Sequence, residues 1–253
     1  MHALWSVLLL FASIEAHAAP SWVTEAQDTH AAILMPAYRA AFPTIAPDDP
    51  VFEVTLDDSV AGQMNIAATT DVNVIRVRLT GEGWSGLTAQ GDALLKQNTA
   101  HELAHVWQLA RLDAVWEPRW LHEGFAELVA VDILVRSGLW SVADRDRWRD
   151  RTDGRCENAM KTGALAGRFA VGDEAAAYAC GYVVLDVVAV RLGMTGAELF
   201  LAYADAVEHP EKMMQLADAV RIDTLSGLNR FVFEDLSRAN GKWVIDALRA
   251  GRL

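Results

Sequence analysis

The sequence predicts an α+β fold, with a small strand-rich part over about residues 50–87 followed by a mostly helical part over about 88–253. Apolar and polar residues alternate in the first part, which is the pattern of half-buried strands. From about Thr88 onward apolar residues recur at helical intervals instead. Because strands and helices do not alternate along the chain, the order excludes a Rossmann-like parallel sheet.

The N-terminal elements follow from the spacing of apolar residues. That spacing predicts a helix over Trp22–Ala41, which ends at Phe42-Pro43. Alternation then predicts strands over Val51–Leu56 and Val72–Leu79. The segment Ala61–Ile66 is either a further short strand or the approach to one.

Two helices joined by a short link are predicted next. The first runs from about Thr88 to Arg111–Asp113, and the second covers about Trp120–Arg136, where Ser137-Gly138 ends it. Further helices are predicted over Glu174–Leu192 and near residues 196–207, 211–220 and 241–251.

Length and composition indicate one substantial hydrophobic core. The chain has 253 residues, of which 52% are hydrophobic and 22% are charged. Its formal net charge is −12. Because an acidic surface repels phosphate backbones, we expect no nucleic acid partner. A single domain over residues 19–253, after a targeting segment, is the expected organisation.

The first 18 residues have the pattern of a secretory signal peptide. The apolar run Ala3–Ile14 is too short to span a bilayer, and Ala16-His17-Ala18 offers the small residues at which a signal peptidase cuts. The segment before the run carries His2 but no Lys or Arg, so a buried helix or an uncleaved anchor is the alternative. We expect export to the periplasm or the medium after cleavage near Ala18, and no later stretch of transmembrane length.

His101 and His105 are the first candidate metal ligands. They stand four residues apart in H-E-x-x-H within a helical pattern, so both imidazoles lie on one helix face and can reach one cation. Glu102 is adjacent to that face and can reach a water molecule at the site. Alone, the motif is also compatible with two histidines on a helix surface.

Glu123 distinguishes a metal site from two histidines on a helix surface. It lies near the start of the following helix, in W-L-H-E-G-F-A-E, and a helix, a short turn and a returning helix bring its carboxylate opposite the two imidazoles. A carboxylate among apolar residues is costly without a cation. His101, His105 and Glu123 are therefore predicted to bind one Zn²⁺ with one position left open, and Glu102 to act as general base.

The combination of H-E-x-x-H with W-L-x-E-G-x-A resembles the gluzincin zinc peptidases, particularly the aminopeptidase-N family and the peptidase MA-like domains. The resemblance covers roughly Thr99–Gly193 and implies a zincin-like helical domain with Glu123 as the third zinc ligand. His122 stands where the aminopeptidases have Asn, and their G-x-M-x-N substrate loop has no counterpart here. A minimal MA-like domain, acting as an endopeptidase or on short peptides, is therefore expected.

Further residues take roles from the same resemblance. Glu127 has the offset of the acidic residue that accepts a hydrogen bond from the first zinc-bound histidine in thermolysin-like enzymes, here His101; an ordinary solvated carboxylate is the alternative. His122 either supports His105 or points into the cleft, and as a fourth ligand it would close the open position.

A tyrosine near the start of a later helix completes the resemblance. The stretch Tyr178-Ala179-Cys180-Gly181-Tyr182 resembles the family's Y-x-x-G, whose Tyr stabilises an oxyanion. Matching on the glycine selects Tyr178, with Tyr182 as the alternative.

Cys156 and Cys180 form either one disulfide, which export favours, or two free thiols. A disulfide would fasten the segment around Cys156 to the helix that carries Tyr178.

Arg76 and Arg78 alternate along one predicted strand. Charges on a solvated strand face are the plainer interpretation. The alternative is an edge strand above the cleft, which would bind an extended peptide as an added strand.

The sequence therefore predicts a zinc-dependent peptide hydrolase in which Glu102 moves the proton, while zinc and Tyr178 stabilise the oxyanion. Its expected partner is a peptide or protein substrate. The alternatives are a non-peptide amidase, a catalytically idle MA-like domain that serves as a binding module in the cell envelope, and a structural zinc site that uses His122.

Overall fold

The α+β prediction is confirmed in the computed structural model, which describes residues 17–112, 119–161 and 174–208. A small sheet near the N-terminus is followed by helices. The elements in chain order are β1 (His17–Ala18), α1 (Ser21–Ala41), β2 (Val51–Asp57), β3 (Asn65–Asp71), β4 (Val74–Thr80), a 3₁₀ turn (Glu82–Trp84), α2 (Ala89–Leu112), α3 (Arg119–Arg136), α4 (Val142–Lys161), α5 (Glu174–Leu192) and α6 (Gly196–Glu208).

The sheet is mixed, with the strand order β1-β2-β4-β3. β4 pairs in parallel with β2 and antiparallel with β3, so β3 forms one edge. Alternation along β4 buries Ile75, Val77 and Leu79 and leaves Arg76 and Arg78 on the outer face. The inner face of the sheet packs towards α2 through β3.

The structure decides between two pairs of alternatives about the sheet. β4 is an interior strand, and Arg76 and Arg78 form ion pairs with Glu53 and Asp57 of the neighbouring β2, as the solvated-face interpretation expects. β3 is the edge strand next to β4, and it covers Asn65–Asp71, so most of Ala61–Ile66 is the approach to a strand. Its alanines and threonines give no apolar alternation, so its pattern is not that of a half-buried strand.

Most predicted helices are confirmed to within about two residues at each end. The exception is α4, which was not predicted as a separate helix because its sequence is dominated by Asp and Arg and lacks a regular apolar stripe. The helices near 211–220 and 241–251, and the apolar run of the predicted signal peptide, lie outside the described residues. A cut near Ala18 would remove β1.

α1 packs against α2 and is hydrogen-bonded to it at two points. The Tyr38 hydroxyl donates a hydrogen bond of 2.5 Å to the backbone oxygen of Ala100, immediately before the H-E-x-x-H. Two turns towards the N-terminus, His30 Nε2 lies 2.8 Å from Asp92 Oδ1. These two polar contacts, of which the one from Tyr38 is buried, tie the position of the histidine-bearing turns to α1.

α3 and α5 cross at two glycines. A Cβ atom on Gly124 would lie 2.6 Å from the carbonyl carbon of Gly181, and one on Gly181 would lie 2.3 Å from the oxygen of Trp120. Since real Cβ atoms do not approach backbone so closely, only glycine fits at either position. The glycine that follows Glu123 therefore lets the two backbones touch.

A disulfide between Cys156 and Cys180 links α4 to α5, so the bridge, rather than two free thiols, is the form that the structure contains.

α5 is also the most apolar helix described. Its window Ala175–Leu192 has the length and hydropathy of a membrane span, contrary to the expectation that no later stretch would, and 72% of this window is buried inside the protein.

Candidate metal centre

Three ligand atoms from two helices converge at one point. Successive turns of α2 present His101 and His105 from the same face, and the first turns of α3 bring Glu123 opposite them. The two Nε2 atoms lie 3.0 Å apart, and Glu123 Oε2 lies 3.2 Å from that of His101 and 3.3 Å from that of His105. All three side chains are buried. Among the described residues this is the one cluster of ligating side chains that could hold a metal ion.

The spacing of these atoms fits a zinc ion. Nitrogen and oxygen ligands at 2.0–2.1 Å from a tetrahedral zinc are about 3.3 Å from one another. Two imidazoles with one carboxylate also form the donor set of hydrolytic zinc sites, in which the fourth position stays open. The residues present therefore fit zinc in both geometry and chemistry.

The electrostatics of the cluster favour a positive charge at its centre. Burial by itself would raise the pKa of Glu123, but its hydrogen bonds with His101 and His105 outweigh burial and hold the pKa far below the usual range. Burial would likewise lower the pKa of His101, yet the hydrogen bond to Glu123 and the charges of Glu127 and Glu102 raise it to about 9. These carboxylates would stabilise a bound cation in the same way.

Gln108 orients His105, a role that the sequence analysis did not assign to it. Its Oε1 lies 2.7 Å from His105 Nδ1, and its Nε2 donates to the backbone oxygen of His122 at 3.2 Å. Because an amide oxygen only accepts, this bond places the proton of His105 on Nδ1 and turns the Nε2 lone pair towards Glu123. The available signal was its position three residues after His105, on the same helix face.

His122 lies against His105 rather than among the ligand atoms. The two rings stack with centroids 4.3 Å apart and an interplanar angle of 24°. Burial, followed by the charge of His105, lowers the pKa of His122 to about 3. His122 is therefore neutral and packs behind the ligand. It does not belong to the converging ligand group within the described residues.

Glu127 is buried beside His101, one turn beyond Glu123. Its Oε1 lies 3.8 Å from His101 Nδ1, an ion-pair separation that is longer than a hydrogen bond. The alternative of a solvated carboxylate is wrong, because burial encloses the side chain and raises its pKa.

Glu102 lies beside the ligand cluster and is hydrogen-bonded to the strand β3. The Thr70 hydroxyl, on β3, donates a hydrogen bond of 2.8 Å to Glu102 Oε2. Thr70 could not be identified from the sequence, because the strand that carries it has no apolar alternation. Glu102 is thus held next to the ligands without being one of them.

The structure distinguishes the two candidate tyrosines. The Tyr178 ring stacks on His101, with centroids 5.1 Å apart. Tyr182, one turn further along α5, is buried and hydrogen-bonded to Arg149, and burial followed by the charge of Asp186 raises its pKa. The match on Gly181 therefore identifies the tyrosine that lies at the cluster.

Arg119 contacts the far side of the Glu123 carboxylate, with its Nη2 atom 3.1 Å from Oε1. It is one helical turn before Glu123, so the two side chains are neighbours on α3. The pairing occupies Oε1 and leaves Oε2 facing the imidazoles, which suits a carboxylate that binds a metal through one oxygen.

A scan against models of protein families matches none of them, and no curated protein matches the chain. The chemistry of the site must therefore indicate its function. Three atoms that could hold a metal ion, a carboxylate beside them and a phenol stacked on one of the imidazoles are components that could add water to a carbonyl.

Proposed function

We propose that this protein is an exported zinc-dependent peptide hydrolase of the gluzincin type. The observation that carries the proposal is the convergence of His101, His105 and Glu123 with Glu102 held beside them by a separate strand. A structural metal site would need neither the open fourth position nor a neighbouring buried carboxylate that does not ligate.

The protein residues divide the chemistry among them. His101, His105 and Glu123 would hold the zinc, which when bound supplies Lewis acidity to the water and to the substrate carbonyl. Glu102 accepts a proton from the attacking water and passes it to the leaving amine. Tyr178 donates a hydrogen bond to the carbonyl oxygen as negative charge develops there. Gln108 keeps His105 in its ligating tautomer.

A peptide is the substrate that the surroundings of Glu102 favour. β3 is the edge strand of the described sheet and pairs only with β4 there, so one side of its backbone can accept another strand. Thr70 brings this edge to within one hydrogen bond of Glu102. An extended peptide that pairs with β3 would therefore pass the base, and backbone pairing of this kind favours peptides over other amides.

Removal and return of the metal tests the proposal. The purified protein should contain about one zinc per chain, cleave members of a broad peptide library, lose this activity with a chelator and recover it with added zinc. Zinc binding without cleavage of any peptide would favour the binding-module alternative. Failure to bind zinc would contradict the ligand assignment itself.

Thr70→Val should lower kcat by about tenfold or more, because a hydrogen bond to a charged group contributes about 1.5–3 kcal/mol. KM and zinc content should change little, since Thr70 positions the base and does not ligate. Thr70→Ser should restore most of kcat. Thr69→Val, on the exposed side of the same strand, is the matched control. Equal effects of the two valine variants would rule out a specific role for Thr70.

A further inference from the structure

A groove of about 310 Å³ runs beside the C-terminal half of α2. It is enclosed by the loop after α1, the turn between β3 and β4, and one side of α2. Its lining residues are Ala46, Pro47, Asp48, Val72, Asn73, Val106, Leu109 and Ala110.

The groove lies one to two helical turns along α2 from the proposed base, Glu102. Glu102, Val106 and Leu109 are spaced by four and three residues, so they form one stripe along α2. With a rise of 1.5 Å per residue, the stripe extends about 6–10 Å from Glu102. The opposite wall, formed by the turn between β3 and β4, begins at a similar distance from Glu102. Thr70, which is hydrogen-bonded to Glu102, precedes Val72 by two residues.

Val72 is an unusual residue for its position. It has a φ of 52°, a left-handed conformation that strains a β-branched side chain, and it is 69% exposed. Glycine or asparagine would fit a tight turn between two strands without that strain. Neither strain nor the exposure of an apolar side chain stabilises the fold. Val72 lines the groove, so an apolar group bound there would cover its exposed side chain and offset this cost.

We propose that this groove is a subsite that takes an apolar side chain of the peptide substrate, two or three residues from the bond that is cleaved. The proposal rests on the proposed function and names its substrate class. The distance follows from the groove's separation from Glu102 and the rise of about 3.3 Å per residue in an extended peptide. The walls formed by Val72, Leu109 and Pro47 supply the apolar surface.

The Val72→Gly variant tests whether Val72 contributes to a substrate subsite or to the stability of the fold. The variant should be at least as stable as the wild type towards urea, because it relieves the strained φ. Its kcat/KM for peptides with Leu or Phe at the subsite position should fall about 5- to 10-fold, while peptides with Ala there should change less than twofold. A uniform loss on all peptides, or no loss, would overturn the proposal.

Filling the groove provides the second test. Ala110→Trp should weaken the binding of an uncleaved Leu-containing peptide to the Glu102→Gln protein by about tenfold, and the exposed Ala89→Trp, at the other end of α2, should not. A wild type that prefers Arg or Lys at the subsite position would overturn the apolar assignment and implicate Asp48. If the wild type cleaves peptides equally well whatever side chain stands at the subsite position, the subsite is overturned and the proposed function is not. If the wild type cleaves no peptide, both are overturned.

Discussion

Glu102→Gln should retain bound zinc and lose peptide hydrolysis, with kcat lower by about 100- to 10,000-fold. Glutamine has nearly the same shape and can still accept the hydrogen bond that Thr70 donates to Glu102 Oε2. It cannot take up a proton at neutral pH. Because Glu102 lies outside the group of ligand atoms, the metal content should not change. Steady-state kinetics and elemental analysis of the same preparation measure both quantities.

Glu123→Gln is the contrasting variant. Both substitutions replace a buried carboxylate by an amide in neighbouring helices, but this one removes the anionic ligand. Zinc content should fall well below one per chain, and activity should fall with it. A Glu102→Gln protein that remains active would contradict the base assignment. A Glu123→Gln protein that keeps its zinc would contradict the ligand set.

Gly124→Ala should lower the free energy of unfolding by about 3 kcal/mol, at the upper end of the range for overpacked sites. The new methyl group would meet the backbone of Gly181, which cannot move aside as a flexible side chain can. Since α5 carries Tyr178, any separation of the two helices also moves the phenol away from His101, and activity should fall more than stability alone predicts. Urea unfolding and kinetics measure the two effects.

Gly154→Ala is the matched control for this prediction. Gly154 also lies within a helix, but a Cβ atom there would have no neighbour within 4 Å. Alanine should therefore stabilise the protein by up to about 1 kcal/mol through helix propensity. If both variants behave alike, the close crossing of α3 and α5 is not what determines stability.

Those components of the site that depend on local pattern could be predicted from the sequence. The four-residue spacing of His101 and His105 needs only a helix to bring both imidazoles together, and helical periodicity around them is strong. Glu123 needs only a short turn and a second helix. The structure brings all three together as that reasoning expects.

The contacts that depend on distant segments could not be predicted in this way. Thr70 reaches Glu102 across 32 residues of sequence, from a strand whose alanines and threonines give no periodic signal. The alternative that β4 is an edge strand was wrong, because β3 pairs with β4 on the side away from β2. Position alone also left Tyr178 and Tyr182 as alternatives, because the choice depends on which of them the crossing at Gly181 brings to His101.

The disulfide between Cys156 and Cys180 makes the intervening chain a covalent ring. A single backbone cut anywhere between the two cysteines would open the ring without separating the pieces. The part that carries Tyr178 would stay attached to the part that carries the two histidines. Protein that a protease has nicked there should run as one band without reductant and as two with it.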